Sequence, residues 1–182
     1  MLKKNREALS EVVSTLILLV VSVLIAAVAI YFSTNITMTR TQKEQISISK
    51  NHVWVNSTGA IAAIKIQNIG SMDTLIDKIT VRGVESDWSN IFIYRVPRGT
   101  TFTDDLTVCN YTDMSGGFTW AGITYTTALE DIPLASGREL LVYIKDPDNV
   151  QMDDIGVSMS LTVYTNNANY ITEVNVQSAT TQ

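Results

Sequence analysis

The side chains that could carry catalysis or bind a metal are few in this sequence. One histidine, His52, and one cysteine, Cys109, occur among 182 residues. The usual zinc sites draw most of their ligands from His and Cys, so no zinc site is expected. The sequence also lacks a glycine-rich phosphate loop and a serine nucleophile elbow. We therefore predict no catalytic residues, no metal site and no cofactor, and we expect Cys109 to be a small buried hydrophobe in a strand.

A run of aspartates near the C-terminus is a second group of candidate ligands. Their carboxylates are the kind of oxygen ligand that Ca²⁺ prefers, but the spacing and the glycine of a known calcium loop are missing. We interpret this group as solvated turn residues; it comprises Asp146, Asp148, Asp153 and Asp154.

Three sequons offer a different chemistry, covalent modification. The Asn-X-Thr motif is the acceptor for N-linked glycans, and it begins at Asn35, Asn56 and Asn110. A sequon is glycosylated only in a compartment where glycans are attached to proteins. Glycosylation of these three sites therefore requires that the chain beyond the N-terminal segment lies outside the cell.

The N-terminal segment contains a long apolar run. Val12 to Phe32 has no charge, glycine or proline, and 18 of its 21 residues are apolar. As a helix, the run is about 32 Å long, which is enough to cross the hydrocarbon core of a bilayer. Lys3, Lys4 and Arg6 precede it, so the N-terminus is expected to stay cytoplasmic and the remainder to be outside.

The apolar run has several interpretations. It can be a plain signal anchor, or a secretory signal peptide cut after Ala27-Val28-Ala29. A cut there is disfavoured because the apolar residues continue through Phe32, where a cleavage region is usually polar. A buried core helix is disfavoured by the length and purity of the run.

The residues before the run point to a fourth interpretation. The charged leader Lys3-Lys4-Asn5-Arg6-Glu7-Ala8, followed by Leu9-Ser10-Glu11-Val12-Val13, resembles the start of archaeal type IV prepilins. The resemblance covers roughly residues 1 to 35. It implies a prepilin-peptidase cut between Ala8 and Leu9, ahead of the apolar run, so that the helix is retained in the mature protein.

The resemblance also implies how the helix would be used. Helices of many copies would pack together in a filament core, where small residues such as Ser22 and Ala26 permit close approach. Glu11 would neutralise the new amine of Leu9, in its own chain or a neighbour, and set the axial register, because an unpaired buried charge is costly. The simpler role for Glu11 is a favourable interaction with the helix dipole.

The rest of the chain has the pattern of an all-β domain. Apolar residues alternate from Ile46 onward, and turn residues such as Ser136-Gly137 separate the segments. Seven to nine short strands predict an antiparallel, Ig-like β-sandwich. The segments with this pattern include 61–69, 74–84, 90–96, 102–109, 118–126, 139–145, 156–165 and 170–176.

Together these features predict an α+β protein with a leader at 1–8, an apolar helix and stalk at 9–50 and a β-sandwich head at 51–182. The net charge of −5 argues against a nucleic-acid partner. The pilin resemblance implies a homopolymeric pilus filament for adhesion, made with a prepilin peptidase and an assembly machinery. Its precursor would lie in the cytoplasmic membrane with the N-terminus inside. The alternative is a monomeric β-sandwich binding module, either anchored or secreted.

Overall fold

The computed structural model describes the backbone of residues 2–41 and 43–179 and the side chains of residues 9–38 and 43–179. The chain divides into two compact units, Met1–Lys43 and Glu44–Gln182. The sequence predicts a head domain from residue 51; the first strand of the structure begins at Ile46. We call the second unit the β unit.

The first unit contains one helix, α1, from Leu2 to Thr41. A softened stretch at 33–37 is expected from its polar and β-branched residues, but the helix passes through it without a break. The hydroxyl groups of Thr34 and Thr37 donate hydrogen bonds to the carbonyl oxygens of Ile30 and Ser33. These side chains are therefore satisfied within the helix itself. The portion Leu9–Met38 is long and apolar enough to cross a membrane.

The β unit contains a large and mostly antiparallel sheet, so the predicted α+β class is confirmed. The described strands are β1 Ile46–Val55, β2 Ala60–Asn68, β3 Thr74–Val81, β4 Val84–Glu85, β5 Ile91–Arg95, β6 Phe118–Trp120, β7 Ile123–Thr127, β8 Ile132–Leu134, β9 Glu139–Lys145, β10 Ser158–Thr165 and β11 Asn169–Ser178. Their order across the sheet is β4-β3-β10-β11-β1-β2-β9-β5-β7-β6, with β8 beside β3.

The register of the strands defines two ends of the β unit. Ile46, where the chain enters β1, lies opposite Asn68 at the end of β2, and Val55 lies opposite Ala60. We call the end that contains Ile46 the proximal end and the opposite end the distal end. The proximal end also holds the start of β9 and the end of β5, because Gln67 pairs with Glu139 and Arg95 with Leu140.

The central strands are covered on both faces. In β2, Ile64 and Ile66 belong to one apolar cluster, which also contains side chains of β3, β10 and β11. Ile61 and Ala63, which point the other way, belong to a second cluster with the β6–β7 hairpin and residues of the segment 96–117. Burial on both faces explains why β2 and β9 consist of nearly continuous apolar residues.

Two of the predicted strands differ in the structure. The segment 74–84 contains β3, a turn at Arg82-Gly83 and the start of β4. The predicted strand 102–109 is wrong, because these residues form no ladder. Side chains of the sheet bind their backbone instead: the Lys65 ammonium donates to the Phe102 carbonyl and the Tyr143 hydroxyl to the Thr107 carbonyl, both at 2.8 Å. We call residues 96–117 the covering segment.

Candidate functional site

The apolar helix, Leu9–Met38, is the largest exposed feature among the described residues. No residue in its most apolar stretch is buried. Its large apolar side chains, from Leu9 to Met38, are between 44% and 68% exposed. A helix that is apolar on all sides needs an apolar environment on all sides, which is either lipid or other protein chains.

The hydroxyl groups of this helix are compatible with such an environment. Ser14 donates to the Ser10 carbonyl at 2.9 Å, Thr15 to the Val12 carbonyl at 2.9 Å, and Ser22 to the Leu19 carbonyl at 2.8 Å. A polar group that is satisfied inside its own helix can enter an apolar surrounding without losing a hydrogen bond.

The unbroken helix brings three predicted assembly residues to one side. At about 100° per residue, Glu11, Ser22 and Ala26 fall within an arc of roughly 60°. Thr15 and Ala29 lie in the same arc, and we call these five residues the small-residue stripe. The sequence alone pairs Ser22 with Ala26; the spacings of four and seven residues that join Glu11 and Thr15 to them were the signal for the rest of the stripe.

The predicted cleavage site lies in the first turns of the helix. Leu9 and Glu11 are exposed, and the side chain of Ala8 lies outside the described residues. The uncut chain carries no amine at Leu9, so the pairing of that amine with Glu11 stays a prediction.

The three predicted glycan acceptors lie in different settings. Asn35 is exposed on the helix. Asn56 lies in the turn between β1 and β2, where its Oδ1 accepts hydrogen bonds from the Thr58 and Gly59 backbone amides at 2.7 and 3.2 Å. The side-chain nitrogen Nδ2 of Asn56, the atom that a glycan modifies, is not used in these two hydrogen bonds.

Asn110 lies in the covering segment, and the hydroxyl that its sequon requires is already next to it. Thr112 Oγ1 donates to Asn110 Oδ1 at 3.1 Å, and Asn110 Nδ2 donates to Asp113 at 3.1 Å. The neighbouring Tyr111 packs so closely on Gly59 that a Cβ there would overlap its ring. The sequons of Asn56 and Asn110 therefore lie side by side at the distal end.

The single histidine and the single cysteine are both engaged in contacts within the β unit. His52 Nε2 lies 3.1 Å from an Asp105 carboxylate oxygen, and its ring stacks on Trp54 with the centroids 5.0 Å apart. Cys109 is buried, as expected, although in the covering segment and not in a strand. Burial raises the pKa of its thiol to about 12, so the sulfur is protonated and unreactive at neutral pH.

Two of the four C-terminal aspartates, Asp153 and Asp154, line a polar depression at the distal end. Arg82 Nη1 lies 2.8 Å from Asp154, whose second oxygen accepts from the Gln151 backbone amide at 3.0 Å. Across the part of the chain that the structure describes, no three His, Cys, Asp or Glu residues are grouped so that they could hold a metal ion.

The covering segment is held by lysines, a feature that is not predicted from the sequence. Lys50 donates to the Thr103 carbonyl at 2.6 Å and Lys145 to the Met114 carbonyl at 2.8 Å. Lys65 is buried and forms an ion pair with Glu139 at 3.0 Å. Two charged residues within otherwise apolar strands were the signal, since buried charges are normally paired.

The fold defines a class: an α+β chain with one helix of membrane-crossing length and composition ahead of a β unit. No protein-family profile and no curated protein sequence matches the chain. A functional conclusion therefore depends on the residues and the geometry described above.

Proposed function

We propose that this chain is a structural subunit of an archaeal type IV pilus. The observation that carries the proposal is the apolar helix, whose exposed side chains need an external apolar partner, while the hydroxyls of Ser14, Thr15 and Ser22 are satisfied within the helix. Such a helix can be surrounded by lipid before assembly and by copies of itself afterwards. The β unit would form the outer shell of the filament.

Two features favour a filament over a simple anchor. The apolar helix has 30 residues, about 45 Å, whereas a bilayer core requires only about 20 residues. The small-residue stripe, with Glu11 at its start, runs along one side of this length. Small residues permit close approach of helices, a property that an anchor surrounded by lipid does not need.

Assembly follows from these parts. A prepilin peptidase cuts between Ala8 and Leu9, and Glu11 pairs with the freed amine to fix the axial offset between neighbours. Ser22 and Ala26 then allow the helices to approach. The β unit, whose larger apolar cluster combines side chains of β3, β10 and β11 with those of the central strands, would act as an Ig-like head. Adhesion would follow from many weak contacts along the filament.

The decisive experiment is mass spectrometry of the mature chain with electron microscopy of the cell surface. A chain that starts at Leu9, present in filaments, is the expected result. A start at Ile30 would indicate a cleaved signal peptide, and an intact N-terminus a plain anchor; either would overturn the proposal. The same spectra report glycans, and Thr58→Ala and Thr112→Ala should each remove one glycan mass.

Glu11 provides the matched test of assembly. Glu11→Ala should reduce the filament yield by about tenfold or more, since an unpaired buried amine costs several kcal/mol, while the precursor stays in the membrane. Glu130→Ala removes an exposed acid from the β unit and should leave the yield unchanged. Equal yields from the two variants would contradict the role proposed for Glu11.

One observation favours a second function, a surface binding module. A cleft of about 270 Å³ lies between the covering segment and the β6–β7 hairpin, lined by residues that include Phe102, Asp105, Trp120 and Tyr125. Aromatic rings with nearby carboxylates suit a small polar ligand. A monomeric mature chain that lacks the helix would support this alternative.

A further inference from the structure

The arginines of the β unit are distributed unevenly. Residues 44–182 contain 16 acidic and eight basic side chains, and four of the basic ones are arginines. Three of these four lie at the proximal end: Arg95 ends β5, Arg98 follows it, and Arg138 precedes β9. We call Arg95, Arg98 and Arg138 the proximal arginines.

None of the proximal arginines forms an ion pair with another residue that the structure describes. The ion pairs among the described residues join other side chains, although carboxylates outnumber basic groups two to one. Arg95 Nη1 donates to the Pro133 carbonyl at 2.5 Å. Asp73 lines the same depression as Arg95 and Arg138, but its Oδ1 accepts from the Ser136 backbone amide at 2.8 Å.

The distal end has the opposite charge. Asp146, Asp148 and Asp153 are exposed there, in the loop that follows β9, and none of them is in an ion pair among the described residues. The nearby basic groups are occupied: Arg82 pairs with Asp154, and the Lys145 ammonium lies over the Tyr111 ring, 4.5 Å from its centroid. Among the described residues, the distal end therefore has exposed carboxylates outside ion pairs, Asp148 and Asp153, where the proximal end has guanidinium groups outside ion pairs.

We propose that the proximal arginines bind the distal carboxylates of a second copy of this chain. The inference rests on the proposed filament function and adds the contact between successive β units. Arginine is enriched in protein interfaces, and its guanidinium group can hold a carboxylate through two parallel hydrogen bonds. Because the two surfaces differ, the contact is heterologous, and repetition of such a contact produces an open filament if the ring does not close.

The charges would also determine the polarity of assembly. An incoming β unit in the correct orientation brings opposite charges together, whereas an inverted unit brings carboxylates against carboxylates. Complementary charges mainly increase specificity and the rate of encounter, and these contributions weaken as salt increases. The contact between β units thus supplements the apolar helix. The helix holds the copies together but contributes little to their relative orientation.

A charge-swap experiment tests this contact. The first variant is Arg98→Glu with Arg138→Glu, the second is Asp148→Arg with Asp153→Arg, and the third combines all four changes. Each of the first two should reduce sedimentable filaments by about tenfold, while the third restores them to within about threefold of the wild-type yield, because opposite charges face each other again. Asp77→Arg with Glu173→Arg reverses two exposed acids elsewhere on the sheet and should have no such effect.

The outcomes separate the two proposals. Precursor amounts and thermal unfolding, measured for every variant, identify any loss of filaments caused by misfolding. Filaments in the wild type together with no rescue in the four-fold variant would overturn the contact alone. A loss confined to the arginine variant would also overturn it and would point to an anionic membrane surface as the partner. Absence of filaments from the wild type would defeat the pilus function and the contact together.

Discussion

The ammonium of Lys65 lies 3.0 Å from a carboxylate oxygen of Glu139, and only 7% and 4% of the two side chains are exposed. Both groups also bind the backbone of Phe102: Lys65 donates to its carbonyl at 2.8 Å, and the carboxylate accepts from its amide at 2.9 Å. The ion pair thus fixes the covering segment to β2 and β9 through both polar groups of one residue.

Removal of one partner of this pair should be severe. Glu139→Gln keeps an acceptor for the Phe102 amide but leaves the Lys65 charge buried without a counter-ion. We expect the free energy of unfolding to fall by about 3–5 kcal/mol. Urea unfolding of the full chain in detergent measures it. Lys65→Met with Glu139→Leu removes both charges and should be less destabilising than Glu139→Gln; a double variant that is worse would contradict this account.

The turn at Ala121-Gly122 should accept a stabilising substitution. Both residues have positive φ, at 50° and 78°, in the two-residue connection between β6 and β7. Asparagine tolerates this conformation better than alanine, so Ala121→Asn should stabilise the chain by about 0.5–1 kcal/mol. Ala121→Val places a β-branched residue there and should lower stability. Thermal unfolding of the two variants, compared with wild type, checks that the changes have opposite signs.

Glu44 should make the β unit sensitive to acid. Burial acts to raise the pKa of this carboxyl, but hydrogen bonds from Thr165 and from Asn167, the latter at 2.8 Å, outweigh it and hold the pKa below its ordinary value of 4.5. Because this pKa is lowered, the contribution of the Glu44 carboxylate to the stability of the β unit is complete above the ordinary carboxyl pKa. It is lost as the pH falls through the pKa of Glu44 in the folded state.

Glu44→Gln tests this contribution. At neutral pH the variant should unfold at a lower temperature than wild type, and the difference should shrink as the pH falls below the ordinary carboxyl pKa of 4.5 and through the lowered pKa of the folded state. Thermal unfolding at a series of pH values measures both quantities. A difference that stays constant across the series would show that Glu44 acts through packing and not through its charge.

The small-residue stripe predicts that added side-chain bulk lowers filament yield mainly on one side of the apolar helix. Ala26→Leu adds bulk within the stripe and should reduce filament yield, whereas Ala27→Leu adds the same bulk about 100° away, outside the stripe, and should be tolerated better. Membrane insertion should be equal for both, since each change adds apolar surface. Filament yield by sedimentation, with precursor amount as the control, makes the comparison, and equal losses would argue against the stripe.

The sequence predicts local features of this chain better than distant ones. The run from Val12 to Phe32 predicts a helix because no charge, glycine or proline interrupts it. The alternating segments predict most of the strands. The segment 102–109 looks like a strand by the same criterion, yet its backbone binds Lys65 and Tyr143 from other strands. Hydrogen bonds between backbone groups and side chains that are distant in the sequence leave no pattern in the local sequence.

Two further features lay beyond the local pattern for the same reason. The parallel contact between β1 and β11 joins Val53–Val55 to Val176–Ser178, which are more than 100 residues apart in sequence. The proximal arginines come from two separate parts of the chain and become neighbours only through the pairing of β5 with β9.

The placement of β1 has a mechanical consequence. The chain passes from the helix into β1, which pairs with β2 along nearly its whole length on one side and with the end of β11 on the other. Backbone hydrogen bonds of an antiparallel pair lie across the strands. A pull between Ile46 and the distal end therefore loads these bonds in shear and all at once. β1, the strand that transmits tension to the β unit, is thus held by hydrogen bonds that share the load and together resist its extraction.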